Sequence, residues 1–528
     1  MKNLLLTKIV IFARKNVNLK NSILKRLFFQ GFLTVLFSIP VFSQGYEIKV
    51  SFNSKNDTVV LGYFAAKSDR MYSSGTCTLD RTGRGVFRGE EKLPKGLYFL
   101  ASNGRKLVDF IVGNEQVFEI QMDTTDFINK TKVKGSPENE IFFEFQRMNL
   151  KAIMQQHELQ QRFQTADSIN KRNISEEYQK LNLERAKTLW ELIEKSKGLY
   201  VSKYLNTQLP MFMRVPAENP SPWQERLPEN AATWTKDSLN RYVQQWYRSN
   251  FFSNLNIFDP DMLRTPLYED KLMEYFQPNH VFPFHPDTIN AEIDKMLIKA
   301  KANDDVFSRV LVTLLNHYIK SDMLVAENIW VYIAEKWYIP FAKWSDADYI
   351  EKLKKEVADR KPNLIGKMAP PIEPLIVLPP EHFKAAALDT AIKFDIYAGK
   401  VYVDFRKELK SKYTVLFFWD YNCGHCKKAI QELWGVWEEL KDKNLQIITV
   451  QVVETKEAKG KWIDFVNEHN MFGWVNAWSP YVYEGYKVEN HYKTTYSLSS
   501  TPQIYLLDES STIIAKKIGV EHIKDFVR

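Results

Sequence analysis

Leu416-Phe417-Phe418-Trp419-Asp420-Tyr421-Asn422-Cys423-Gly424-His425-Cys426 is the stretch on which the fold turns. Its first part belongs to a near-continuous apolar run, Tyr413–Trp419, of the kind a strand buried on both faces requires. A short loop then carries two cysteines spaced C-x-x-C. Ile430, Leu433, Trp434, Trp437 and Leu440 follow at helical spacing and make one apolar face. That order puts Cys423 at a helix N-terminus, where backbone N–H groups and the helix dipole favour a thiolate. Cys426 lies one turn later on the same face and can close an intramolecular disulfide. His425 can carry positive charge, which further favours the thiolate and so the reduced form; a pair with a stabilised reduced form is the better oxidant.

The same spacing could also be half of a structural zinc site, which needs two further ligands. The chain has only three cysteines, Cys77, Cys423 and Cys426, so histidine or carboxylate would have to complete it. A large secreted protein stapled by disulfides carries more cysteines, evenly counted. Three, with two of them spaced C-x-x-C, favour redox chemistry and no bound metal.

Around this centre the pattern alternates strands and helices. Residues 446–453 read as a second strand, a helix follows over about 456–469, and 503–507 with 512–518 read as a hairpin around 508–511. A final helix starts near Val520. The order β-α-β-α-β-β-α gives an α/β domain with a central sheet flanked by helices. Pro370, Pro371, Pro374, Pro379 and Pro380 punctuate the stretch before it, which reads as linker or extended lead-in over 363–412.

Further out the character changes twice. Residues 46–52 and 117–122 alternate with a period of two; β-rich runs at 58–64, 97–101 and 107–112 lie between them, separated by turns such as Thr82-Gly83-Arg84-Gly85. This predicts an antiparallel β-sandwich over 44–134. At Gly135-Ser136-Pro137-Glu138-Asn139 a helix is announced: Ser136 suits the N-cap, Pro137 the first helical position, Glu138 the positive end of the dipole. Helical periodicity then dominates over 135–362, with Leu183, Ala186, Leu189, Trp190 and Ile193 on one face and Gly198 as terminator. Residues 307–318 and 325–337 read as further helices, with long loops around 206–233 and 277–288. The chain of 528 residues is thus multidomain: a sandwich, a mainly α-helical middle and a C-terminal α/β domain over 363–528.

The formal charge of +8 does not mark a nucleic-acid binder. Seven basic residues, Lys2, Lys8, Arg14, Lys15, Lys20, Lys25 and Arg26, lie within 1–43 with no acidic residue among them. The rest of the chain is nearly neutral and lacks the basic footprint a polyanion needs. This basic start is followed by an apolar run, residues 27–43, interrupted by Gln30 and Pro40 and ending in the small Ser43. Such a tripartite start predicts a cleaved signal peptide over 1–43, and with it an exported chain in the periplasm or cell envelope with no stable membrane insertion.

Three matches then give a family resemblance. Leu364-Ile365-Gly366-Lys367-Met368-Ala369-Pro370, Leu416-Phe417-Phe418-Trp419 before Cys423-Gly424-His425-Cys426, and Ser500-Thr501-Pro502 before Gln503-Ile504-Tyr505-Leu506-Leu507-Asp508 resemble the TlpA/ResA-type periplasmic thiol-disulfide oxidoreductases of the thioredoxin superfamily. The resemblance implies a thioredoxin-like fold for 363–528 and a redox disulfide Cys423–Cys426. Cys423 would be the nucleophile and Cys426 the resolving thiol. It also implies a cis Pro502 that exposes the backbone of Thr501 to an extended substrate and keeps metals off the thiols. Gly424, His425, Trp419 and Asp420 would form the environment of the centre. No cofactor is implied; the partners would be cysteine-containing exported proteins and a redox partner protein. Two features depart from common thioredoxins. Phe417 stands where many have a buried Asp, with Asp420 nearer the cysteines and exposed, and Gly424-His425 is the dipeptide of protein disulfide isomerases. The whole layout is also similar to exported bacterial proteins joining a β-rich domain, a helical domain and a TlpA-like domain, through Gly135-Ser136-Pro137-Glu138-Asn139 and Asp261-Met262-Leu263-Arg264-Thr265-Pro266.

Weaker candidates read as structure. His280 and His285 fall in a Pro- and Phe-rich loop rather than a metal site. Cys77 reads as a small buried residue, and Trp330, Tyr332, Trp337 and Tyr338 as core, while Trp223 and Trp234 sit in loops. Two functions stay open: a thiol-disulfide oxidoreductase, or a cell-envelope binding or scaffold protein whose thioredoxin-like domain serves as a docking module.

Overall fold

The computed structural model describes residues 45–53, 57–209, 229–276, 285–372, 375–394, 400–402, 404–408, 410–479 and 491–527. The expected signal segment, Trp223 and His280 therefore lie outside the described residues. Two compact units result, the first drawn from 1–65 and 69–209, the second from 66–68 and 210–528. The division falls inside the helical stretch rather than at its ends.

In the first unit, strands β1 (Tyr46–Ser51), β2 (Thr58–Phe64), β3 (Met71–Thr78), β4 (Arg84–Gly89), β5 (Gly96–Ser102), β6 (Arg105–Val112), β7 (Val117–Gln121) and β8 (Lys132–Lys134) form two four-stranded sheets, ordered β4-β1-β7-β8 and β3-β2-β5-β6. Alternation along each strand sends Ile48, Val50, Phe118 and Ile120 from one sheet, and Val59, Leu61, Tyr98, Leu100 and Phe110 from the other, into one shared core. Pairing is antiparallel except between β1 and β7, which run parallel.

Helices α1 (Pro137–Thr165), α2 (Ser168–Lys195) and α3 (Tyr200–Asn206) belong to this unit, and the residues after Gly135 show why. The Ser136 hydroxyl accepts from the Asn139 N–H and caps α1. The buried Asn139 amide accepts from the Ile111 N–H at 2.8 Å and donates to the Ile111 carbonyl at 2.7 Å. The Glu138 carboxylate accepts from Asn114 N–H and Val201 N–H, each at 2.8 Å. Buried polar groups without partners are costly, so these bonds fix the helices to the end of β6. On α2, Ala186, Leu189 and Ile193 face inward as expected, but Leu192 is buried in place of Leu183, which is 40% exposed. Gly198 adopts φ +86°, the left-handed conformation of a helix terminator.

The second unit holds α4 (Lys236–Asn250), α5 (Tyr268–Tyr275), α6 (Pro286–Ala300), α7 (Asp304–Ile319), α8 (Ala326–Ile333) and α9 (Ala347–Arg360). After α8 the chain makes a π-turn over Ala334–Tyr338, next to Pro340, whose missing N–H breaks the α-helical ladder. Trp330, Trp337 and Tyr338 are buried as expected; the Trp337 indole and the Tyr332 hydroxyl both donate to Asp294, at 2.7 and 2.6 Å.

The remaining elements are β9 (Leu375–Val377), α10 (Pro380–Leu388), α11 (Thr390–Phe394), β10 (Lys400–Tyr402), α12 (Phe405–Glu408), β11 (Tyr413–Trp419), α13 (Gly424–Leu440), β12 (Leu445–Gln451), α14 (Lys456–Glu468), β13 (Val475–Trp478), α15 (Tyr492–Thr495), β14 (Gln503–Asp508), β15 (Ile513–Lys516) and α16 (Ile523–Phe526). Seven strands form one sheet, ordered β10-β9-β13-β12-β11-β14-β15. β11, β12 and β13 run parallel, and β14 pairs antiparallel with β11. Alternate residues of β11 serve two cores: Val415, Phe417 and Trp419 face α13 and α14, while Leu416 and Phe418 face Tyr492, Tyr496 and Tyr505. The Pro-punctuated stretch read as linker thus contains an edge strand and helices, and β13 adds a strand the sequence pattern did not announce.

Candidate active site at the Cys423–Cys426 pair

β11 ends on Trp419 in the centre of the sheet, and the loop after it turns directly into α13. The Asp420 carbonyl accepts from the Cys423 N–H at 3.1 Å, and its carboxylate accepts from the Asn422 N–H at 2.8 Å. Asp420 is therefore half-buried and engaged in shaping the loop, where the sequence led us to expect an exposed group. Cys423 is the N-cap of α13, with extended backbone at φ −81° and ψ 112°. Its sulfur accepts from the Cys426 N–H at 3.2 Å, the bond an N-cap side chain makes.

The two thiols are unbonded and unequal. Cys423 is half-buried, whereas Cys426 is fully buried beside Phe417, Trp419 and Ile430. Burial, with the hydrogen bond to Cys423, pushes the Cys426 thiol up to about 12. Gly424 and His425 are exposed. Trp419 is fully buried and packs on Phe465, ring centres 4.6 Å apart. Phe417 is fully buried at the position where many thioredoxins have an aspartate.

From the other side of the sheet the chain returns at Thr501-Pro502, whose peptide bond is cis. The Cys423 thiol donates to the Thr501 carbonyl at 3.3 Å, joining residues far apart in sequence. The fold thus brings together Cys423, Cys426, Thr501 and Pro502, with Gly424 and His425 at the rim and Trp419 and Asp420 beneath it. The strand end paired with β14 beyond Pro502 leads to a residue the sequence did not mark. β15 continues past its last pair so that Lys517 N–H donates to the Ile504 carbonyl at 2.8 Å, and Ile518 packs against the same core as Cys423. The signal available in sequence was Gly519 directly after an apolar strand, which is weak alone. Among the described residues no group of three or more His, Cys, Asp or Glu is arranged to hold a metal. His285 sits at the start of α6, 3.6 Å from Asp287. Cys77 is half-buried on β3; burial pushes its thiol up against an opposing hydrogen bond from Val86.

The family model for the AhpC/TSA family matches residues 389–516, a span that includes both cysteines and Pro502. No curated protein matches the chain. Among solved structures, a thioredoxin-like protein from Bacteroides caccae is 18% identical, covering 57% of this chain and 95% of that one, with a TM-score of 0.38. A domain titled a "possible thiol-disulfide isomerase" from Cytophaga hutchinsonii is 29% identical over 31% of this chain and 91% of that one, TM-score 0.23. The thioredoxin domain of a thiol-disulfide oxidoreductase from Bacteroides vulgatus is 20% identical over 31% and 98%, TM-score 0.22. With the sheet order, the strand–loop–helix geometry and the family match, the C-terminal part of the chain is a thioredoxin-like domain similar to the AhpC/TSA family over residues 389–516.

Proposed function

We propose that the chain catalyses thiol-disulfide exchange at its Cys423-Gly424-His425-Cys426 centre on cysteines of exported proteins. The observation that carries the reading is the inequality of the two thiols: a half-buried Cys423 at a helix N-terminus against the Thr501 carbonyl, and a buried Cys426 one turn behind it. The Cys423 thiolate attacks one sulfur of a target disulfide; a mixed disulfide forms and the other target thiolate leaves and takes up a proton. The Cys426 thiol then loses its proton and attacks Cys423 Sγ, releasing the second target thiolate. The target gains two electrons and the Cys423/Cys426 dithiol becomes a disulfide. Run in reverse, the same steps oxidise a target dithiol. No bound cofactor takes part; a redox partner protein resets the pair.

The basic and apolar start of the sequence supports export to the periplasm or cell envelope. No helix among the described residues is long and apolar enough to cross a membrane. The deciding experiment is the reduction potential of the Cys423/Cys426 pair in glutathione buffers, with Cys423→Ser as control. A value of about −120 to −180 mV assigns disulfide formation or reshuffling, and one near about −270 mV assigns reduction. Absence of a reversible two-electron couple overturns the enzyme reading and leaves the docking-module role.

A further inference from the structure

A groove of about 650 Å³ runs along the flank of the thioredoxin-like domain, and more than half of its wall comes from the helical segment that precedes that domain. One side is Tyr318, Ile319, Leu324 and Trp330, from α7, the turn after it, and α8. The other is Ile518 and Phe526, from the end of β15 and from α16. Its size falls within the ~300–1,000 Å³ range of ligand sites.

Three observations bear on its occupant. The first is position. Lys517 pairs with the Ile504 carbonyl in β14, directly beyond Pro502, and Ile518 and Cys423 pack on one core. The groove therefore reaches the strand that follows Pro502, three residues past the Thr501 carbonyl that meets the Cys423 thiol, a span of about 10 Å that a residue flanking a bound cysteine can bridge. The second is charge. Glu327, Arg360, Lys516 and Lys517 all line the groove, but they are engaged with one another: Glu327 contacts Arg360 at 2.9 Å, Lys516 at 3.0 Å and Lys517 at 3.2 Å. The remaining lining adds the carboxylates of Asp322, Glu356 and Asp525 and the imidazole of His522, so four carboxylates stand against three cations and neither sign dominates the groove. The third is apolar exposure at the rim: Ile319 is 44% exposed and Leu324 37%. Such side chains at the rim of a groove in which neither charge dominates accept aliphatic or aromatic groups.

We infer that this groove is a secondary substrate site, which takes an apolar side chain flanking the reactive cysteine of an extended polypeptide. The inference rests on the thiol-disulfide exchange proposed above and extends it by a class of substrate: unfolded or extended segments carrying a large apolar residue near cysteine. The helical segment α7–α8 thereby becomes part of the recognition surface, while the chemistry stays at Cys423.

The test uses the full chain in its reduced form and three chromogenic disulfides. Two are synthetic peptides whose single cysteine is linked to 5-thio-2-nitrobenzoate, identical except for Leu or Ser near the cysteine. The third is the symmetric small-molecule disulfide of that thiol. Attack by Cys423 releases the coloured thiolate, the better leaving group. The expected result is a preference for the Leu peptide of about tenfold or more, equivalent to about 1.4 kcal/mol. Leu324→Glu and, separately, Ile319→Glu should abolish that preference and leave the small disulfide's rate within about twofold. Both sites are exposed, so the fold should tolerate them, and an unchanged melting curve verifies it. Equal rates for the two peptides in the unsubstituted protein overturn the groove, as does a preference that survives both substitutions or a rate that falls equally for all three disulfides. Failure of the exchange reading looks different: Cys423→Ser would then leave the small disulfide's rate unchanged.

Discussion

At the scale of single residues, the site is built on the contrast between Cys423 and Cys426. A fully buried thiol pushed up to about 12 holds its proton at neutral pH. Iodoacetamide at pH 7.5 should therefore label Cys423 and spare Cys426 in the native reduced protein, read by peptide mass spectrometry. Denaturant should then expose the second thiol. The same burial predicts that Cys426→Ser accumulates the mixed disulfide at Cys423, detectable as a mass adduct after incubation with a disulfide peptide. In the unsubstituted protein, resolution should speed up as pH rises from 7 to 10, because Cys426 must give up a proton before it attacks. Stability has the opposite sign. The unfolded thiol ionises near the ordinary cysteine value of 9.0, the folded one only near 12, so this group's contribution is intact below about pH 9 and is lost as pH rises toward 12. Phe417 belongs to the same account. It fills a dry core position, so Phe417→Asp should cost about 3–5 kcal/mol in lost packing alone, read as a lower urea midpoint.

At the scale of elements, legibility follows length and locality. β11, α13, β12, α14 and the β14–β15 hairpin were readable because each carries enough residues to show a period of two or 3.6, or an unbroken apolar run. β9 and β13 were not; they span Leu375–Val377 and Val475–Trp478, too few residues for a pattern, and the first stands among prolines that signal a linker. The cap at Ser136-Pro137 was legible because capping is local chemistry. What it accomplishes was not, since the partner of Asn139 is the backbone of Ile111 in another element. The cysteine pair was legible for the same reason as the cap, and Ile518 was hidden for the same reason as Ile111. Asn139→Ala tests the anchoring of α1. It leaves both the N–H and the C=O of Ile111 without their buried partner, a loss of about 1–3 kcal/mol for each group. Hydrogen exchange should quicken in peptides covering 107–115 and 137–145, and Asn139→Asp, which keeps the acceptor alone, should fall between the two.

At the scale of the whole molecule, the second unit depends on a charge arrangement drawn from three places. Glu327 on α8 meets Arg360 at the end of α9 and Lys516 and Lys517 at the end of β15, and Lys516 also donates to Asn363 at 2.6 Å. No local pattern predicts it, because the partners are distant in sequence and the cations outnumber the carboxylate. That imbalance explains both titrations. Burial works to raise the Glu327 carboxyl, but Lys516, Lys517 and Arg360 overturn it and hold the group at about 2. Burial lowers Lys516 to about 8, and one carboxylate shared with two other cations does not restore it. For Glu327 the folded value lies below the unfolded one, so its stabilisation is present above about pH 4.5 and is lost as pH falls toward 2. For Lys516 the unfolded state binds the extra proton between about pH 8 and 10.5, so its contribution rises with pH across that window. Glu327→Gln removes the one carboxylate that, among the described residues, these three cations share, and leaves the buried Lys516 charge uncompensated. The expected cost is about 3–5 kcal/mol at pH 7, seen as faster hydrogen exchange in peptides spanning 324–330 and 513–519. Between pH 5 and 3 the unsubstituted protein should lose protection in those peptides, while the variant, already lacking the titrating group, should show no such step. An acid step of equal size in both proteins would remove Glu327 as its source and with it the arrangement as the tie between α8 and β15.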